Sequence, residues 1–225
     1  AVAIFAATSG GWVFKSIKRG QLGPVHITAN TPPSFFGAAE GFETTPGDDG
    51  AMITVVSPGG PADKAGLIGG DIVISFDGHS VHGADDIREK LSSTPAGKTV
   101  EVEYVRDGET KKTLLTTISK GEGDDNRDEF LSEPKGQLGI SGLDRVPVPG
   151  LNIHGVQVGN VRRNNPADLA GWKDDDIVIE FDGTPIRTSG ELSSRIDRAT
   201  PGNTVKTIII RNGERLEIPV KVGRE

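Results

Sequence analysis

The chain has 225 residues, 25 basic against 32 acidic, a formal net charge of -7, and no cysteine. Its size allows one or two domains, its acidic balance argues against a nucleic-acid binder with a broad basic surface, and the missing cysteine excludes disulfides, thiolate nucleophiles and cysteine-held zinc. No apolar run approaches the ~18 residues of a membrane span, and 31 Gly with 14 Pro favour turns and short strands over long helices.

In chain order, Ala1 to Ala7 is apolar but too short to span a membrane and has no basic leader of a secretory signal. Ser9 reads as the N-cap of a helix through Trp12 and Ile17. Residues 1–18 are therefore assigned to a remnant of a preceding domain or a linker helix. A first unit is assigned to 19–118. Within it, Ala51 to Val56 reads as a strand, and Pro61 to Ala65 as a short helix with Pro in its first turn and Gly66 at its end. Ile72 to Phe76 alternates as a half-buried strand does, and Asp77-Gly78 is a turn. Ala84 to Ser93 is a longer helix with Ile87 and Leu91 on one face. Val100 to Arg106 and Lys112 to Ile118 form a hairpin closed by Asp107-Gly108.

Residues 119–133 are assigned to an acidic linker. From Gly121 to Glu133 there are six acids and one base, with Phe130 and Leu131 as the few apolar anchors. A second unit, 134–225, then repeats the first. GPADKAG at 60–66 returns as NPADLAG at 165–171, DIVISFDG at 71–78 as DIVIEFDG at 176–183, and RDGE at 106–109 as RNGE at 211–214. The offset is 105 residues throughout, from Asp71 to Asp176, with no gap between Gly50/Gly155 and Ile118/Gly223. The longer helix of the second unit runs from Gly190 to Arg198, with Leu192 and Ile196 on one face. Each unit of five or six short strands and two helices can close one small aliphatic core. The fold class is mostly β with short helices, α+β in type.

SPGGPADKAGLIGGDIVISFDG and VRRNNPADLAGWKDDDIVIEFDG resemble the central signature of PDZ domains, in the form found in HtrA-type serine proteases. IKRGQLGP at 17–24 and PKGQLGIS at 134–141 resemble the loop that opens such domains, and the N-terminal tail is similar to the stretch that joins the protease barrel to the first PDZ domain, which implies the end of a strand at Phe5-Ala6-Ala7 and a helix from Gly11 to Lys18. The resemblance implies two partly open PDZ-like β-barrels or sandwiches. It also implies binding of extended peptides, or unfolded protein segments, with an apolar C-terminal residue. In the second unit the implied groove consists of Leu138, Gly139, Ile140, Ser141, Gly142, Leu192 and Ile196. If Gly139 takes a conformation closed to other residues, the N–H groups of Leu138, Gly139 and Ile140 converge on a terminal carboxylate. In the first unit the implied groove is Arg19, Leu22, Gly23, Pro24, Ile27, Ile87 and Leu91. Pro24 has no N–H, so weaker carboxylate binding is expected there. An insert follows Gly23, and its Phe35-Phe36 pair is expected in the core.

Thr8-Ser9-Gly10-Gly11 resembles a serine-protease nucleophile motif, but a triad needs a base and an orienting acid that lie upstream in that fold. No catalysis is expected of this chain, whereas a parent protein could be a serine endopeptidase. The histidines lack HExxH spacing. Asp174-Asp175-Asp176 lacks the spaced ligands of a calcium loop and reads as a tight turn with exposed acids. No metal, cofactor, nucleic acid or membrane insertion is expected. The partners implied are peptides and an upstream protease domain, and the compartment implied is the periplasm, cell envelope or an organelle. Two other readings stay open, a stand-alone adaptor without a protease and a structural pair whose grooves are filled in cis.

Overall fold

The computed structural model describes residues 7–8, 11–12, 34–38, 41–47, 49–121 and 135–224. Residues 1–31 and 32–225 form two compact units. In the first of these, β1 (Ala7–Thr8) pairs antiparallel with β2 (Gly11–Trp12). Thr8 pairs with Gly11 and Ala7 with Trp12, so Gly11 and Trp12, expected at the start of a helix, are strand residues instead. The remainder of that helix and its Ser9 cap lie outside the described residues, as does the linker from 122 to 133.

The second unit holds both repeats. The first repeat comprises β3 (Ser34–Phe35), β4 (Phe42–Thr44), β5 (Ala51–Ile53), α1 (Pro61–Lys64), β6 (Ile72–Phe76), β7 (His79–Ser80), α2 (Ala84–Ser93), β8 (Thr99–Arg106), β9 (Glu109–Thr116) and β10 (Ile118–Ser119). The second comprises β11 (Gly136–Gln137), β12 (Ile140–Pro147), β13 (His154–Val161), α3 (Pro166–Ala170), β14 (Ile177–Phe181), β15 (Thr184–Pro185), α4 (Ser189–Arg198), β16 (Thr204–Arg211), β17 (Glu214–Lys221) and β18 (Gly223–Arg224). Each repeat has a six-stranded antiparallel sheet, ordered β4-β5-β6-β8-β9 and β12-β13-β14-β16-β17, with β7 and β15 appended to the middle strand. A two-stranded piece completes each one, β3 with β10 and β11 with β18. The sheets stay open, mostly β with short helices.

Local chemistry explains most of these elements. The four dipeptides Asp77-Gly78, Asp107-Gly108, Asp182-Gly183 and Asn212-Gly213 all have positive φ at both positions, the geometry that turns a two-residue hairpin without splaying its strands. Pro166 opens α3 and Gly171, at φ 92, closes it. Strand alternation and the i, i+4 helix pairs then aim apolar side chains inward. Ile53, Val73, Phe76, Ile87, Val102 and Leu115 lie in one core, and Val156, Val178, Phe181, Leu192, Ile209 and Val220 in the other. Trp172 lies buried beneath the turn after Gly171, where the first repeat has Leu67.

One polar feature is built into both cores. Asp71 is fully buried and takes a two-pronged contact from Arg106, Nε to Oδ1 at 2.7 Å and Nη2 to Oδ2 at 2.6 Å. Asp176 does the same with Arg211, at 2.7 Å for each prong. Each carboxylate also accepts a backbone N–H three residues upstream, from Ile68 and Lys173. Of the three acids at 174–176, the last is thus buried rather than exposed, a correction to the sequence reading. Its hydrogen bond raises the pKa of the Arg211 guanidinium. A buried carboxylate requires such a partner.

Candidate functional site

The second repeat brings its loop, edge strand and longer helix to one cleft. Gly139 has φ +75, and a Cβ there would lie 2.3 Å from Asn165 Cβ, so only glycine fits. The Gly139 carbonyl accepts from the Arg162 N–H at 2.9 Å and the Leu138 carbonyl from the Ala167 N–H at 3.0 Å. These two bonds point the carbonyls towards the sheet and α3. The N–H groups of Leu138 and Gly139 donate to no backbone carbonyl among the described residues. The Arg162-to-Gly139 bond also makes Ile140↔Val161 a non-hydrogen-bonded pair, which turns the Ile140 N–H and C=O to the open side of β12.

A cavity of about 170 Å³ opens beside this loop, lined among others by Leu138, Gly139, Ile140, Leu143, Ser193 and Ile196. Leu138 and Ile196 are buried, whereas Ile140 and Leu143 are half-buried and pack against the core from the cleft side. Leu192 is fully buried and braces α4 from behind rather than lining the cavity. Arg162 and Asp197, both exposed, stand at the rim. Ser141 and Gly142 follow on β12, and Gly142 has φ +66 where its Cα passes Gly159. The sequence reading did not include Leu143, Arg162, Ser193 or Asp197. Ser193 was legible in principle, because it neighbours Leu192 on a helix already assigned to the cleft.

In the first repeat the outcome differs. Arg19, Leu22, Gly23, Pro24 and Ile27 lie outside the described residues. Ile87 and Leu91 of α2 are buried in the core. The position matching Leu138-Gly139-Ile140 is occupied by Phe36-Gly37-Ala38. The match is set by register: Phe35 pairs with Ile118 as Gln137 does with Gly223, and Ala38 bridges Val56 as Ile140 pairs with Val161. Gly37 has φ +100, and its carbonyl accepts from the Ser57 N–H at 2.7 Å. Phe36 is buried against Phe42 and Phe76, at ring-centroid distances of 5.1 and 6.2 Å. The sequence carried a signal for this. Gly37 precedes Gly50 by 13 residues and Gly139 precedes Gly155 by 16, whereas Gly23 precedes Gly50 by 27.

The first cleft is also crossed. Thr54 N–H donates to Gly41 O, which makes Phe42↔Ile53 a non-hydrogen-bonded pair and turns the Phe42 carbonyl outward. Arg88 Nη2 of α2 donates to that carbonyl at 3.3 Å, and its Nη1 to Asp85 at 2.7 Å. Ala84 N–H donates to Thr44 Oγ1 at 3.0 Å, a second tie between α2 and β4. The second repeat has Ser193 at the position of Arg88.

The repeats touch through residues 54–56, 69–70 and 107–108 of the first and Asn152 and residues 187–191 of the second. No hydrogen bond or ion pair among the described residues runs from the first repeat to Ile140, Ser141, Gly142 or Leu143. The described residues hold no group of three or more side chains suited to a metal ion, and no helix among them is long and apolar enough to cross a membrane.

Comparison with known proteins follows the same division. Two curated relatives are each 26% identical. One is a probable periplasmic serine protease do/HhoA-like of Haemophilus influenzae, matched over 92% of this chain and 42% of its own length. The other is a probable periplasmic serine endoprotease DegP-like of Hahella chejuensis, over 93% and 45%. The chain therefore spans less than half the length of these relatives. Among solved structures, the HtrA3 PDZ domain bound to a phage-derived ligand is 22% identical over 41% of this chain and 89% of that one, at a TM-score of 0.36. The family model described as "PDZ domain" matches residues 39–117 and again 134–222. The chain belongs to the PDZ domain family, which it carries in two copies.

Proposed function

We propose that the second PDZ copy binds the free C-terminus of an extended peptide. Leu138, Gly139 and Ile140 hold the terminal carboxylate with their backbone N–H groups, and Arg162 adds a positive charge at the rim. The peptide continues as an added strand along Ile140, Ser141 and Gly142. Its last side chain enters the cavity between Ile140, Leu143 and Ile196, with Leu192 supporting the helix behind. An apolar side chain of small or medium size fits this lining, and its burial stabilises the complex by about 1.5–3 kcal/mol. The observation that carries the reading is the pair of unbonded loop amides, Leu138 and Gly139, at the mouth of a cavity with apolar walls. Among the described residues no hydrogen bond or ion pair runs from the first copy onto residues 140–143, which supports a usable cleft over a pair whose grooves are filled in cis.

The first copy binds more weakly on this reading. Its loop has an N–H at Ala38, so the proline argument made for Pro24 does not apply at this position. The weakness comes from Arg88, which occupies the outward carbonyl of Phe42. For the protein as a whole, we infer a substrate-recognition or regulatory role beside a serine protease of the cell envelope, supported by the two periplasmic proteases to which the chain is similar. Peptide libraries presented with free and with amidated C-termini test the central point. Free apolar termini should bind and amidation should remove most of the affinity. Equal binding of both forms would refute carboxylate recognition.

A further inference from the structure

The two copies depart from each other most pointedly where the longer helix begins. Arg187, Thr188 and Glu191 stand where the first copy has His82, Gly83 and Asp86. In the first copy Asp86 turns back and accepts from the His82 N–H at 3.0 Å, just ahead of its own helix. In the second copy the same positions reach the first copy. Thr188 Oγ1 donates to Thr54 O at 2.7 Å. Glu191 Oε2 accepts from the Val56 N–H at 3.1 Å. Arg187 forks onto Asp107, Nε to Oδ1 at 2.7 Å and Nη2 to Oδ2 at 2.9 Å. Glu191 is fully buried, and its other oxygen accepts from Arg195 Nε at 2.7 Å, so its charge is compensated on both sides.

The first copy carries a complementary departure. Asp174-Asp175 of the second copy correspond to Gly69-Gly70 of the first. A Cβ on Gly69 would lie 2.8 Å from Thr188 Oγ1 and 2.9 Å from Glu191 Cβ, and a Cβ on Gly70 2.4 Å from Arg187 Cβ. Side chains are missing on one face where larger ones arrive from the other. Changes on both faces that fit each other are the mark of an interface, not of drift between two independent modules.

Helix α4 is also one wall of the proposed peptide cleft, since Ser193 and Ile196 follow within its next turns. We propose that the first copy clamps the N-terminal turn of α4 and thereby sets the aperture of the second copy's cleft, so that the two copies act as one binding body. This rests on the peptide reading above. Arg187, Thr188 and Glu191 are positioning residues in it. The contact also ends close to the first copy's own loop, because Val56 bridges Ala38 and Ser57 N–H holds the Gly37 carbonyl. A ligand in either cleft therefore acts on a shared element.

The test changes only the first copy, in the full chain. Gly69→Ala drives a methyl group into the clamp, and Asp107→Asn removes the charge that Arg187 grips while keeping a residue that tolerates the positive φ of that turn. The probe is a fluorescent hexapeptide ending in valine with a free carboxylate. Hydrogen exchange of residues 189–198 reports the helix, and exchange of residues 99–116 reports whether the first copy stays folded. The expected result for G69A/D107N is affinity weakened about fivefold or more, within the usual range of coupled sites, together with faster exchange of 189–198 and unchanged protection of 99–116. If G69A unfolds the first copy, D107N alone carries the test, with a smaller shift in the same direction. Unchanged affinity with a loosened helix would overturn the aperture claim, and unchanged helix exchange would overturn the clamp itself. Should the unmodified chain bind no free-carboxylate peptide, the peptide reading fails, and the exchange of 189–198 still decides whether the clamp exists.

Discussion

The second copy's cleft has unbonded loop amides, half-buried Ile140 and Leu143, and Ser193 on its helix. The first copy's cleft has the same loop path in Phe36-Gly37-Ala38, but Phe42 is buried where Leu143 stands half-open, and Arg88 reaches across where Ser193 stops short. One frame thus supports two different surfaces. The difference comes from few side chains, because the strands, turns and buried ion pairs that position the cleft are common to both copies.

The largest expected effect tests that common frame. Asp71→Ala and Asp176→Ala each leave a partly buried arginine without its partner, and each should destabilise its own copy by ~3 kcal/mol. Denaturant unfolding followed by probes in each copy checks this. A loss confined to one of the two would break the claim that the frames are equivalent.

Next come the loop glycines. Gly37→Ala and Gly139→Ala both force a side chain into positive φ, worth roughly 1–3 kcal/mol. Gly139→Ala should be the worse, because its Cβ would lie 2.3 Å from Asn165 Cβ, an atom no side-chain rotation moves, whereas at Gly37 the nearest atom, the Ala62 backbone nitrogen, is 2.7 Å away. Thermal melts rank the two, and the opposite order would show that the loops are held differently. Exchanging the helix residues sharpens the comparison further. Arg88→Ser should give the first copy measurable peptide affinity, and Ser193→Arg should weaken the second copy about tenfold, or ~1.4 kcal/mol. Titration of both variants with one peptide reads this, and no change in either would remove Arg88 as the reason for the asymmetry. The smallest effect is at the rim. Arg162→Ala should weaken the second copy by ~0.2–1 kcal/mol, as an exposed charge does, and the difference should vanish at high salt. A salt-independent loss would mean that Arg162 packs rather than steers.

Much of the fold was legible because its signals are local. Asp-Gly and Asn-Gly carry their own turn geometry, Pro166 and Gly171 bracket a helix, and Leu192 and Ile196 share a face whatever surrounds them. The Asp–Arg pairs could have been read as well, since Asp71 with Arg106 and Asp176 with Arg211 recur at the same offset. The first copy's loop was harder. GQLG at 20–23 matched GQLG at 136–139 letter for letter and drew the alignment away from Phe36-Gly37-Ala38, where backbone path is shared but side chains are not. At the N-terminus Gly11 and Trp12 were read as the start of a helix, whereas they pair with Thr8 and Ala7, a contact that no local pattern announced.

The sequence by itself determined the repeat, the turns, the two aliphatic cores and the class of the fold, because periodicity and positive-φ residues act within a few positions of the chain. Tertiary structure alone decided which segment forms each loop, that Arg88 lies across a strand edge, and that Arg187, Thr188 and Glu191 at the start of α4 also hold the other copy. Those contacts join residues 46 to 135 positions apart. No local pattern encodes such a distance, and only packing brings the partners together.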